Sequence, residues 1–222
     1  MAGWWRRQGI GYWALGDCSS CNANGDTLFV IGSARAHPRP LGATLTGSGL
    51  DQVAAAPNGW LAIVAEKPGP GLGRLIWQGR RIMVCAPAAT CTAVPSPPGA
   101  ITLDPAWSPG GATLAYVRAP ARATPNFPQP VVARWYAAHQ LWLYHPATRS
   151  VSKLNAPGAT AQAWSTDGHS LLYAARDGIW QLPHLGGQPV RIATPLFQPG
   201  NWPTYYGQVS WAAQFAWWPG QP

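Results

Sequence analysis

The residues of this chain able to do covalent or metal chemistry are few and widely spaced. Four cysteines occur as Cys18-Ser19-Ser20-Cys21 and as Cys85 and Cys91, which flank the spacer Ala86-Pro87-Ala88-Ala89-Thr90. A turn-like spacer between two apolar strand pieces places Cys85 opposite Cys91, and Cys18 with Cys21 closes a second tight loop, so local disulfides are the leading expectation. Inert thiols and a zinc site are the alternatives; zinc needs all four sulfurs to converge, and the second pair is spaced too widely for a C-x₂₋₄-C knuckle. Local disulfides in turn predict an oxidising compartment outside the cytoplasm.

His37, His139, His145, His169 and His184 show no metal-binding spacing, and no metal site is predicted. His139 and His145 bracket a strand and stand about 20 Å apart by strand rise, so surface or turn positions are expected for them. The seven carboxylates are Asp17, Asp26, Asp51, Glu66, Asp104, Asp167 and Asp177, mostly at turns or strand starts, where Asp bonds to nearby backbone. No G-x-S-x-G elbow occurs, and Gly69-Pro70-Gly71-Leu72-Gly73-Arg74 lacks the Lys-Ser/Thr of a phosphate loop. The reading is a non-enzymatic protein with no catalytic residue and no cofactor.

What positions these residues is a repeat. Ala106-Trp107-Ser108-Pro109-Gly110-Gly111 leads into Leu114-Ala115-Tyr116-Val117, and Ala163-Trp164-Ser165-Thr166-Asp167-Gly168 leads into Leu171-Leu172-Tyr173-Ala174. Ala55-Ala56-Pro57-Asn58-Gly59 before Leu61-Ala62-Ile63-Val64 is a worn copy. Each copy reads as a strand, a glycine-dependent turn and an antiparallel strand. Recurrence about every 55 residues predicts a radial array of small sheets, an all-β β-propeller of four-stranded antiparallel blades, about four or five in number. Gly 25, Pro 24 and Trp 14 in 222 residues fit many short strands and turns.

The blocks run approximately over 10–47, 51–98, 101–157 and 160–198, all in one domain, with a closing strand at 208–218. In the first block, Ile10–Leu15 is expected as second strand and Gly25–Leu41 as third and fourth, leaving Gln208–Trp211 to supply the innermost strand. Two long insertions, Lys67–Gly79 and Ala119–Tyr136, are expected to leave the rim as loops. Trp107, Trp164 and Trp211 occupy repeat positions and are expected to pack blade against blade. Trp135, Tyr136, Trp202, Tyr205 and Tyr206 fall outside the repeat and are the candidates for exposed ligand contact.

The formal charge of +8 comes from arginines scattered along the chain, paired only at Arg6-Arg7 and Arg80-Arg81, and does not predict nucleic-acid binding. No run reaches the roughly 18 to 20 apolar residues of a membrane-spanning helix. Met1-Ala2-Gly3-Trp4-Trp5-Arg6-Arg7 opens next to strand material, so a signal or anchor is expected to lie outside this sequence.

The Ala-Trp-Ser-Pro-Gly-Gly and Ala-Trp-Ser-Thr-Asp-Gly turns, each followed by a Leu-x-Tyr strand, resemble the repeats of TolB-like β-propeller proteins. Gly110 replaces the usual Asp in one copy, and Thr166 the usual Pro in the other. The resemblance spans about Asp51 to Ala193. It implies a propeller, complete or a fragment of a six-bladed ring, and does not imply membership of the Tol system. A repeat scaffold with two long Pro/Gly/Ala loops and no reactive constellation is expected to bind a protein or peptide partner in the cell envelope. Related repeats also form the non-catalytic propellers of prolyl-oligopeptidase-like peptidases. A carbohydrate-binding propeller using the non-repeat aromatics is the alternative.

Overall fold

Strands fill this chain because its β-branched and aromatic residues fall between glycine and proline punctuation. The computed structural model describes residues 2–5, 9–14, 26–31, 36–37, 39–40, 46–47, 53–65, 80–87, 91–121 and 134–194. The first sheet holds β1 (Ala2–Trp5), β2 (Gly9–Ala14), β3 (Asp26–Ile31) and β4 (Arg39–Pro40), with β5 (Thr46–Gly47) also on β3. Three four-stranded antiparallel sheets follow: β6 (Val53–Ala55) to β9 (Cys91–Ala93) through β7 (Leu61–Ala65) and β8 (Arg81–Cys85); β10 (Ala100–Trp107), β11 (Leu114–Pro120), β12 (Gln140–His145) and β13 (Ser150–Pro157); and β14 (Ala161–Trp164), β15 (Leu171–Ala175), β16 (Gly178–Leu182) and β17 (Val190–Ala193). Each is a meander with strands in sequence order, and neighbouring sheets meet through their early strands: β1 on β6, β10 on β6 to β8, β14 on β10 and β11. These are propeller blades.

In the first blade, β2 to β4 take the second, third and fourth places, as their spacing predicts. Its innermost place is held by β1, which pairs with β2 from Ala2↔Tyr12 to Trp5↔Gly9; the expected closing strand at 208–218, with Trp211, lies outside the described residues. The blade therefore begins at Ala2 rather than near residue 10. A four-residue strand separated from the next only by Arg6-Arg7-Gln8 is too short to read as a separate element.

The core lies between blades. Ala62 and Val64 point into a large cluster shared with Ile101, Leu103, Tyr116 and Val117. Their neighbours Leu61, Ile63 and Ala65 point the other way, onto Cys85, Met83 and Val53. Alternate residues of one strand thus serve two interfaces, as the period of two requires. That both faces are covered explains why the second strands read as nearly continuous apolar runs.

Polar staples fix the stacking. The Trp107 indole N–H donates to the Ala54 carbonyl at 3.1 Å, and the Trp164 indole to the Ala106 carbonyl at 2.9 Å. Ala54 and Ala106 occupy the same repeat position, so each first strand is hooked to its predecessor at one register. The Asn58 side-chain amide adds a bond to the Gly111 carbonyl at 2.9 Å, joining adjacent hairpin turns. Gly111 and Gly168 hold φ of 70° and 74°, the left-handed turn position that the repeat reserves for glycine. Between Leu103 and Ala106 a bulge puts Asp104 at φ 51°, and the Gln162 side-chain amide donates to the Asp104 carbonyl and to that of Ala115. This strain accompanies a bond between blades.

Two outcomes follow for stability in urea. Trp164→Phe keeps the ring and removes the N–H, and should cost about 1 kcal/mol, with the Ala106 carbonyl left bare. Breaking the Cys85–Cys91 disulfide with a double Cys→Ala change should cost about 2 kcal/mol through the short loop it closes; midpoints unchanged by either variant would contradict this assignment.

Candidate functional site

The insertion in the third blade is where the repeat is broken and the chain is held most deliberately. It leaves after Pro120, and the Ala121 amide donates to the Gly99 carbonyl at 2.7 Å. It returns through a helical turn over residues 134–137 and enters β12 at Gln140. The Trp135 indole donates to the Pro120 carbonyl at 2.9 Å, so the two feet of the insertion are tied together. Residues 122–133 lie outside the described residues.

Beneath the feet is an aromatic box. The Trp135 ring meets His139 edge-on at 4.3 Å and Tyr136 at 5.0 Å, and Tyr136 lies 5.0 Å from His139. The expectation that Trp135 and Tyr136 stand exposed is corrected: they are only 3% and 5% exposed and belong to the large core. Positions 135, 136 and 139 have helical spacing, and one apolar face of a single turn folds inward. That spacing was the available signal, hidden by a Pro/Ala-rich stretch that read as loop throughout.

His139 also departs from its expected surface position. It is 2% exposed, and its carbonyl accepts from the Gly158 amide at 2.8 Å. Burial, offset only in part by the backbone of Ala159, pushes its pKa from 6.5 down to about 3. The imidazole is therefore neutral and acts as a packing ring under the insertion.

Other candidates resolve as follows. Cys85 and Cys91 are disulfide-bonded across β8 and β9, in direct register. Cys18, Cys21, Trp202, Tyr205 and Tyr206, and the Lys67–Gly79 insertion, lie outside the described residues. Among the described residues no three His, Cys, Asp or Glu side chains converge on one point. Asp167 caps its own turn: it accepts from the Ser165 hydroxyl and the His169 amide, which hold its carboxyl below the usual range. Asp177 accepts from the Trp180 indole at 3.0 Å. Arg118 sits 3.7 Å over the Trp142 ring and donates to the Pro95 carbonyl and the Tyr116 hydroxyl, bridging the second and third blades. Sequence reasoning gave Arg118 no role. Its place two residues after Tyr116, on the same strand face, was the cue.

No protein-family model matches this sequence, and no curated protein matches it significantly. Solved structures do. An oligogalacturonate lyase in complex with manganese superposes with a TM-score of 0.53 at 13% identity, covering 83% of this chain and 45% of its own. TolB from Acinetobacter baumannii gives 0.50 at 12%, covering 84% and 41%. A puromycin hydrolase gives 0.53 at 17%, covering 89% and 28%. The chain thus spans less than half the length of each of these proteins, which include both enzymes and TolB. At such identities the likeness concerns architecture, and with the antiparallel four-stranded blades and their repeated Trp turns it establishes that this chain has a TolB-like β-propeller fold.

Proposed function

We propose that this chain is a non-catalytic binding propeller of the cell envelope, which recognises a protein or peptide through the insertion between β11 and β12. The observation carrying this reading is the clamp at the base of that insertion. Trp135 closes its feet onto Pro120, and Tyr136 and His139 root them in the core. A loop whose ends are fixed loses less conformational freedom on binding than a free one, which favours affinity. The disulfide supports a location outside the reducing cytoplasm. The likeness to TolB supports a protein partner by analogy of fold.

The likeness to a puromycin hydrolase favours a second reading, the non-catalytic propeller of a peptidase-like enzyme. Under that reading the partner is a hydrolase domain. For carbohydrate binding, the burial of Trp135 and Tyr136 removes two of the five aromatic candidates from the surface; Trp202, Tyr205 and Tyr206 continue as its candidates.

Two measurements test the first reading. In a crosslinking pull-down from envelope extract, the full chain should retain a protein that is lost when residues 122–133 are replaced by a short Gly-Ser linker. Equal recovery by both chains, or none by either, contradicts the proposal. The second concerns the root of the insertion. Between pH 6.5 and about 3 the unfolded chain protonates His139 while the folded one does not, so stability falls as pH drops. From pH 7 to 5 the full chain should lose about 2 kcal/mol more than His139→Phe does; identical pH slopes would show that His139 is not buried neutral.

A further inference from the structure

One side chain of the third blade departs from the repeat without serving it. The second strands open on Leu61, Leu114 and Leu171, and the matching position near their ends is Ala65 in the second blade and Ala175 in the fourth, both buried. In the third blade it is Arg118. An alanine suffices for stacking here, so the guanidinium is an addition to the scaffold, and it stands two residues before the insertion leaves after Pro120.

The addition is held in one orientation. Nη2 donates to the Pro95 carbonyl at 2.9 Å and to the Tyr116 hydroxyl at 3.0 Å, while the Trp142 ring centre lies 3.7 Å from the guanidinium carbon. These hydrogen bonds use a single nitrogen. Nε is buried without a partner, and among the described residues Nη1 makes no bond and the charge meets no carboxylate. The Trp142 indole nitrogen and the hydroxyl of Ser96, next to Pro95, are also buried and unpartnered. Donors short of acceptors are unfavourable when buried, and a fixed guanidinium among them is the arrangement an oxyanion completes. Neither insertion has an acid to offer: Ala119–Tyr136 and Lys67–Gly79 contain no Asp or Glu.

We propose that Arg118 anchors an acidic segment of the partner, taking an Asp or Glu carboxylate beside the feet of the insertion; this rests on the reading that the chain binds a protein or peptide there. The planar fork, already aligned on Trp142, loses little freedom when it meets a second planar group. The formal charge of +8, from 15 basic against 7 acidic residues, draws such a segment toward the chain. The fourth blade supplies a control. Its matching row pairs Tyr173 with Trp180 and Trp180 with Arg191, a cation of equal charge 6.0 Å from its ring centre and on the outer strand.

Isothermal titration of the full chain with pentaglutamate, and with pentaglutamine as the uncharged probe, tests the assignment. Wild type should bind the first and not the second. Arg118→Gln should weaken binding at least about tenfold, the loss of one charge-assisted hydrogen bond, and Arg191→Gln less than about twofold. If Arg118→Gln fails to fold, Arg118→Lys decides, because it keeps the charge without the planar fork and should still weaken binding at least about threefold. The proposal is overturned by a wild type that does not bind pentaglutamate, by equal losses in the Arg118→Gln and Arg191→Gln chains, or by unchanged binding in Arg118→Lys. Displacement of the peptide by an equal concentration of inorganic phosphate also overturns it, since the site would then be one for a free anion. In the envelope pull-down, a partner lost on replacing residues 122–133 but kept by Arg118→Gln overturns the acidic anchor alone and leaves the binding reading standing.

Discussion

The bond from a tryptophan indole to the carbonyl of the preceding blade is the constraint on which this structure depends. Each blade is a four-stranded sheet whose apolar residues point both ways, so no blade can bury its surface alone. Apolar contact between sheets is tolerant of sliding, whereas a donor aimed at one carbonyl is not. Trp107 on Ala54 and Trp164 on Ala106 therefore set the register in which the alternating side chains interdigitate. Gln162 and Asn58 repeat the device at the bulge and at the turns. The ring supplies the buried area and its nitrogen supplies the position.

That division of labour separates scaffold from function. The repeated Trp, the turn glycine and the Leu-x-Tyr strand are committed to stacking. What varies between blades is what the stack carries, and the clearest addition is the insertion between β11 and β12. Its anchoring shows how a variable segment is attached without disturbing the register: one helical turn adds its own aromatic face to an existing core. An uncharged histidine is tolerated there because it packs as a ring, at the cost of stability in acid.

The sequence made the scaffold legible because a two-residue period, a turn glycine and a repeated tryptophan all point to one solution. The strands Leu61–Ala65, Arg81–Cys85 and Gly178–Leu182 lie where their patterns place them. The Cys85–Cys91 bond was readable as the leading expectation, since a short turn between two strands sets those sulfurs opposite each other. Less was visible at the insertion. Trp135, Tyr136 and His139 are buried by tertiary contact from a single turn, too short for its periodicity to stand out against proline-rich surroundings. The innermost strand of the first blade escaped for the same reason of length.

The central claim is that indole-to-carbonyl bonds fix the stacking of the blades. The most direct measurement is hydrogen exchange of the individual indole N–H groups by NMR, with each tryptophan assigned by substitution. The account predicts that the Trp107 and Trp164 indole protons are protected to the same degree as the backbone amides of β11 and β15. Exchange of either at the rate of a free, solvated indole would contradict it.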